Sequence, residues 1–309
     1  MDQGLHAPPA SLALPWLADL VGPQGREVVA RDCGSAPALA LAAVSRGVGC
    51  RRELARSLGQ GEALGVDLVH AAVNTLLASG ALPHIAAMHV QAPRASALAE
   101  AITAGIARAC RAHDLAIVVG SAVQVEAPEE LGIVLTGGIV APSPTNLAAE
   151  DVVLALRGSG PSDGDLDALL ARARGLGLTL ADRLANGDTV GRTLVAARKS
   201  HFSLLQQPLR ERWPGRVIAV GDRGLAAAAS AALPTGLRVD WSFAGWQPPA
   251  PFAEWFQDRG EVVQAAASSS FGCGMMVVVS VAEAPRWQRL CAAWNEPATV
   301  LGQIVAAQA

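Results

Sequence analysis

The stretch Gly65-Val66-Asp67-Leu68-Val69, running on through Val73-Asn74 to Ser79-Gly80-Ala81-Leu82-Pro83, decides the fold. Leu68, Ala71, Ala72, Leu76 and Ala78 recur at three- and four-residue spacing, which predicts a helix over 64–80 with Gly80 as its stop. The apolar run behind it predicts a strand over 82–91. Outward from this pair, a short strand is expected at 37–44, before Gly47 and Gly49. An alanine-rich amphipathic helix follows at 95–110, then strands at 115–120 and 131–140. Pro142, Ser143, Pro144, Thr145 and Asn146 form a turn-rich connection and mark a boundary. Beyond it the alternation resumes. A strand is expected at 151–157, a Gly/Ser/Pro loop at 158–164 and a helix at 165–174 with acids in its first turn. Helices near 189–211 and 224–233 flank a strand at 216–220, and a strand at 273–281 precedes a helix at 284–294. The class is mixed α/β, divided into an extension over 1–30, a domain over 31–145 and a second domain over 146–309.

Composition narrows the function. With 309 residues, 51% hydrophobic and 17% charged, the chain is too apolar to be disordered and long enough for about two cores. A net charge of −3 with no basic stripe offers nothing to nucleic acid or to an anionic membrane surface. The first ten residues lack Lys and Arg and carry Asp2 and two prolines, unlike a signal peptide, and no apolar run reaches the length of a membrane span. A cytoplasmic protein is expected. Cys33, Cys50, Cys110, Cys273 and Cys291 are odd in number and widely spaced, so they read as reduced, mostly buried thiols. The six histidines show no metal-binding spacing.

Two further segments share the opening stretch's character. Asp151-Val152-Val153-Leu154-Ala155-Leu156 leads into Gly158-Ser159-Gly160-Pro161. Trp246, Pro249, Phe252, Trp255 and Gly260 lead into Phe271-Gly272-Cys273-Gly274-Met275-Met276. In this order the three resemble the motifs of the aminoimidazole ribonucleotide (AIR) synthetase family, the phosphoribosylformylglycinamidine cyclo-ligases, over about residues 37–305. The resemblance implies an α+β, PurM-like fold of two domains that dimerises through the first and places an ATP and substrate site near the dimer interface. It also implies a ligase reaction of purine biosynthesis, in which ATP and Mg²⁺ activate an amide oxygen before an imidazole ring closes.

Such phosphoryl transfer needs carboxylates on Mg²⁺ and cations or amides on the phosphates. The chain departs from the family at those places. The family's T-D-G-V-G-T-K is Ser45-Arg46-Gly47-Val48-Gly49-Cys50-Arg51, with arginine in place of a carboxylate. Its N-D is Asn74-Thr75, its S-G-P-H-S-N-G is Ser159-Gly160-Pro161-Ser162-Asp163-Gly164-Asp165, and Ala226, Ala227 and Ala228 replace later polar residues. Several such losses together leave little of the parent chemistry. The expectation is a pseudoenzyme or impaired paralogue acting as a homodimer, or as a heterodimer with an active paralogue. An active cyclo-ligase with a rearranged site, and a related ATP-using enzyme, stand as alternatives.

The residues that would hold a nucleotide are Gly47, Gly49, Arg51, Asp67, Asn74, Ser159 and Gly160. Asp67 reads either as a lone Mg²⁺ ligand or as an acid complementing the dipole at a helix start. In the rearranged-site alternative Asp163 and Asp165 join it as metal ligands. Arg46 and Arg51 read as a phosphate cradle or a solvated loop, and Arg198, Lys199, Ser200 and His201 as an anion site or a solvated helix face. Cys273 reads as a buried small hydrophobe.

Overall fold

The structure is a computed structural model that describes residues 41–126, 129–141, 147–243, 245–247, 255, 269–270 and 272–307. The 1–30 extension, the start of the first strand, the turn at 142–146, and Pro249, Phe252, Gly260 and Phe271 lie outside the described residues.

The first half comprises β1 (Leu41–Gly47), α1 (Arg52–Leu58), α2 (Gly61–Ala78), β2 (Ala81–Ala92), α3 (Ala97–Ala112), β3 (Ala116–Gln124) and β4 (Glu130–Ile139). The strands form one sheet in the order β1-β4-β2-β3. β4 pairs antiparallel with both β1 and β2, whereas β2 and β3 run parallel. Parallel neighbours need a crossover, and α3 supplies it. Ser96 caps α3 by accepting a hydrogen bond at Oγ from the Ala99 N–H at 3.2 Å.

α2 is apolar on nearly every side, as a helix buried all round must be. It packs against α3 and against strands of both sheets. At its crossing with α3 the two backbones nearly touch: a Cβ on Gly65 would lie 1.9 Å from the Ile102 carbonyl oxygen, and one on Gly105 would lie 2.1 Å from that of Glu62. The opening glycine of the signature is therefore fixed by helix packing.

The second half comprises β5 (Val152–Arg157), a 3₁₀ turn (Asp163–Asp165), α4 (Leu166–Gly175), α5 (Val190–Val195), α6 (Phe202–Arg210), β6 (Arg216–Ala219), α7 (Gly224–Ala232), β7 (Leu237–Trp241), β8 (Cys273–Val279), α8 (Ala284–Ala293) and β9 (Thr299–Ala306). Its sheet has the order β6-β8-β5-β9-β7, antiparallel throughout. β5 and β8 are buried on both faces, and this explains their unbroken apolar sequences. Leu154, Leu156, Met275 and Val277 join a core that runs through α2 to Leu135 of the first sheet, while Val153, Ala155, Met276 and Val278 enter a second core with Trp246. The main core thus crosses the expected boundary between the halves.

One expectation of secondary structure is corrected. The helix expected near 189–211 is two helices, α5 and α6, separated by the irregular segment 196–201. Among the described residues no helix is long and apolar enough to cross a membrane. The four described cysteines are unpaired, and Cys110, Cys273 and Cys291 are buried.

Candidate functional site

α2 carries a polar stripe, Asp67, His70 and Asn74, at the i, i+3, i+7 spacing that aligns residues on one helix face. All three side chains grip residues 196–201. Asp67 Oδ1 accepts from the Arg198 backbone N–H at 2.7 Å and from Arg198 Nε at 2.9 Å; Oδ2 accepts from Arg198 Nη2 at 3.0 Å and from Arg51 Nη2. His70 Nδ1 lies 2.7 Å from the Arg198 carbonyl oxygen, the geometry of an Nδ1–H donor. Asn74 donates from Nδ2 to the Lys199 carbonyl at 2.8 Å and accepts at Oδ1 from the His201 N–H at 3.0 Å.

The other flagged residues close on the same segment. Arg51, only 1% exposed, donates from Nη1 to the Ala196 carbonyl at 3.1 Å and from Nε to Asp163 Oδ1 at 2.8 Å. Ser159 Oγ donates to the Ala197 carbonyl at 3.0 Å. A Cβ on Gly160 would lie 2.4 Å from the Ala196 carbonyl oxygen, so the loop after β5 lies flush on that backbone. Gly49 serves differently: a Cβ there would lie 2.0 Å from Asp163 Oδ2, so its bareness admits the Asp163 carboxylate. Gly47 ends β1 opposite Gly132 and lines the cleft.

Several readings of these residues are corrected. Asp67 is not a helix-start acid; it is the seventh residue of α2 and 5% exposed. Burial alone would raise its pKa, but the Arg51 and Arg198 guanidiniums and the Arg198 hydrogen bonds outweigh burial and hold it below the usual carboxylate range. Burial disfavours the Arg198 cation, yet Asp67 and Asp222 raise its pKa further. Arg51 is neither a solvated loop residue nor free for phosphate, since Asp67 and Asp163 neutralise it. Lys199, Ser200 and His201 form no solvated helix face. Lys199 Nζ pairs with Glu296 Oε1 at 2.5 Å, and His201 is 1% exposed, its imidazole kept neutral by burial with a pKa lowered to about 3. Gly274 leaves room for that ring, because a Cβ there would lie 2.5 Å from His201 Nε2.

The cleft between Arg46, the 47–49 loop, α2, Asp163 and Arg198 is therefore lined by three arginines, with three aspartates set among them. Arg46 Nη1 reaches Asp222 Oδ2 at 3.3 Å, and Arg198 Nη1 lies 3.6 Å from Asp222 Oδ1. These donors fit Mg²⁺ poorly. Each Asp67 oxygen already accepts two N–H donors, and Asp163 Oδ1 faces Arg51. Asp165 is held by the Ser162 and Ser270 N–H groups, each at 2.8 Å, and by Ser270 Oγ. Among the described residues no three His, Cys, Asp or Glu side chains are grouped to hold a metal ion.

Sequence reasoning missed His70 and Asp222, and it singled out Arg198 and His201 as an anion site or a solvated helix face, not as partners of α2. A signal for His70 was available in its place with Asp67 and Asn74 on one face of a helix whose other residues, Glu62 and Thr75 apart, are Leu, Val, Ala or Gly.

Two sheets, with α2 packed against strands of both and α3 packed on α2 and the first sheet, define a PurM-like fold. Solved structures share it: the thiamine-monophosphate kinase of Stenotrophomonas maltophilia (TM-score 0.66, 17% identity, 87% of this chain and 84% of that one), AaThiL complexed with AMPPCP and TMP (0.62, 15%, 87% and 82%), and the hydrogenase maturation protein HypE in complex with ATP (0.62, 15%, 96% and 85%). In sequence, residues 33–142 match the family described as AIR synthase related protein, N-terminal domain.

Proposed function

We propose that this chain is a divergent, non-catalytic relative of AIR synthetase that has kept the scaffold, lost the handling of ATP and Mg²⁺, and acts through binding and dimerisation. The observation that carries the reading is the convergence of Arg51, Asp67, Asn74, Ser159 and Gly160 on the chain's own segment 196–201. Groups expected to hold a nucleotide and its metal are engaged in holding the polypeptide. Surface for a partner is available on the first sheet, whose pattern of exposure alternates along β1 and β4. Leu41 is 68% exposed and Val123 49%. Ala43, Thr136 and Ile85, and Ser45, Val134 and Ala87, are cross-strand neighbours on the less buried face. A mostly apolar sheet face of this kind suits a second copy of the chain, or an active paralogue of the same fold.

A second reading, an ATP-using enzyme of the same superfamily, draws on the neighbours solved with AMPPCP and with ATP. Arg46 and the Gly47–Val48–Gly49 loop are the part of the cleft that would face a phosphate. Turnover separates the two. Purified protein with Mg·ATP and either formylglycinamidine ribonucleotide or thiamine monophosphate is expected to release ADP no faster than a mock-purified control. Acceptor-dependent, Mg²⁺-dependent ADP release above that control would overturn the non-catalytic reading.

A further inference from the structure

We propose that a second cavity, at the opposite end of α2 from the cleft, binds an apolar monocarboxylate with Arg212 as its anion anchor. The cavity has a volume of about 250 Å³ and lies where the two halves of the chain meet. Leu77 and Ala78, from the last turn of α2, line one side; Leu209 of α6, Trp213 and Val217 of β6 line the other. It shares no lining residue with the cleft around Arg46 and Arg198, so its occupancy does not depend on whether the cleft takes ATP.

Arg212 lines the same cavity and is exposed, and its backbone position is an unusual one for arginine. α6 ends in a Schellman turn, in which the Arg212 N–H donates to the Leu209 carbonyl at 3.1 Å and the Trp213 N–H to the Pro208 carbonyl at 2.9 Å. That turn sets residue 212 at φ +54°, the left-handed position that glycine ordinarily fills. The fold draws a single hydrogen bond from the side chain, Nε donating to the Val140 carbonyl at 3.2 Å. Among the described residues both Nη groups are without a partner. The adjacent acid is engaged elsewhere, since Glu211 accepts from Gln207 Nε2 at 2.8 Å and from Trp213 Nε1 at 2.7 Å. A guanidinium fixed through Nε keeps its Nη pair for a planar oxyanion.

The aromatic wall is also set in advance. Arg286 of α8 lies 3.7 Å over the Trp213 ring, the Trp287 ring meets it edge-on at 5.5 Å, and Trp287 Nε1 donates to the Pro214 carbonyl at 3.0 Å. Apolar walls with one cation among them select a single negative charge on an apolar body. A phosphate dianion would leave one of its charges uncompensated against leucine and valine.

The probes are octanoate and phenylacetate, which separate a fatty from an aryl acid, with octan-1-ol and 2-phenylethanol as their uncharged counterparts. Isothermal titration of the full chain is expected to show at least one acid binding about tenfold more tightly than its alcohol. Arg212→Gly should weaken that acid about tenfold while the urea midpoint stays close to that of the unaltered chain, because glycine is at home in this turn. Lost binding is then separable from lost fold. Ala141→Phe, which fills the cavity from the end of β4 and leaves Arg212 intact, should abolish binding. Failure of both acids to bind would overturn the proposal, as would alcohols that bind as tightly as the acids. Arg212→Gly or Ala141→Phe protein that binds like the unaltered chain would overturn it equally, by placing the acid elsewhere.

Discussion

Replacing Asp67 by alanine is expected to cost about 3–5 kcal/mol of folding stability, the usual penalty for breaking a buried ion pair from one side. The residue lies inside α2, and its carboxylate neutralises Arg51 and Arg198 at once. Removing it leaves Arg51 with Asp163 alone and Arg198 with the distant Asp222. It also strips the acceptor from the Arg198 backbone N–H. Urea unfolding should show a lower midpoint with an unchanged slope, because the area exposed on unfolding stays the same. A carboxylate present only to hold a metal would behave in the opposite way, and its removal would leave the midpoint unchanged or raise it.

Gly65→Ala carries the second large effect. Its Cβ would lie 1.9 Å from the Ile102 carbonyl oxygen and 2.7 Å from the Ile106 nitrogen, both backbone atoms that no side-chain rotation can move aside. The α2–α3 pair has to separate, opening the core around Leu68, Ile102 and Ile106. A loss of about 3 kcal/mol, at the upper end of ordinary overpacking, is expected in the same unfolding measurement. Gly175→Ala is the control: it meets nothing within 4 Å, so stability should hold or rise slightly. Equal effects at the two glycines would mean that the helix crossing does not depend on close backbone approach.

The elements readable in the sequence were those whose periodicity follows from burial. α2 and α3 announce themselves by apolar spacing, and β5 and β8 by runs of Val, Leu and Met that suit strands covered on both faces. The break between α5 and α6 was not readable, because Ala196-Ala197-Arg198-Lys199-Ser200-His201 contains no glycine or proline and has respectable helix propensity. What keeps it irregular is tertiary: its backbone groups are taken by Asp67, His70 and Asn74 from another element. The candidate site was legible only in part, since His70 and Asp222 were not singled out and the pairings were not readable. Arg51, Asp67, Asn74, Ser159 and Gly160 do come together, but around residues more than a hundred positions from Asp67 and Asn74. The family motifs located the cleft, and only the three-dimensional arrangement shows that the chain itself is what they hold.

Thermal unfolding with and without millimolar Mg·ATP tests the central claim most directly. A ligand at about 100 times its Kd adds roughly 2.7 kcal/mol to the folded state, and at this chain length that raises Tm by roughly 3–6 °C. A cleft whose carboxylates and arginines are committed to each other and to residues 196–201 predicts no shift. A rise of that size that disappears when Mg²⁺ is chelated would contradict the account, because it would place a metal-bound nucleotide where the chain's own segment is held.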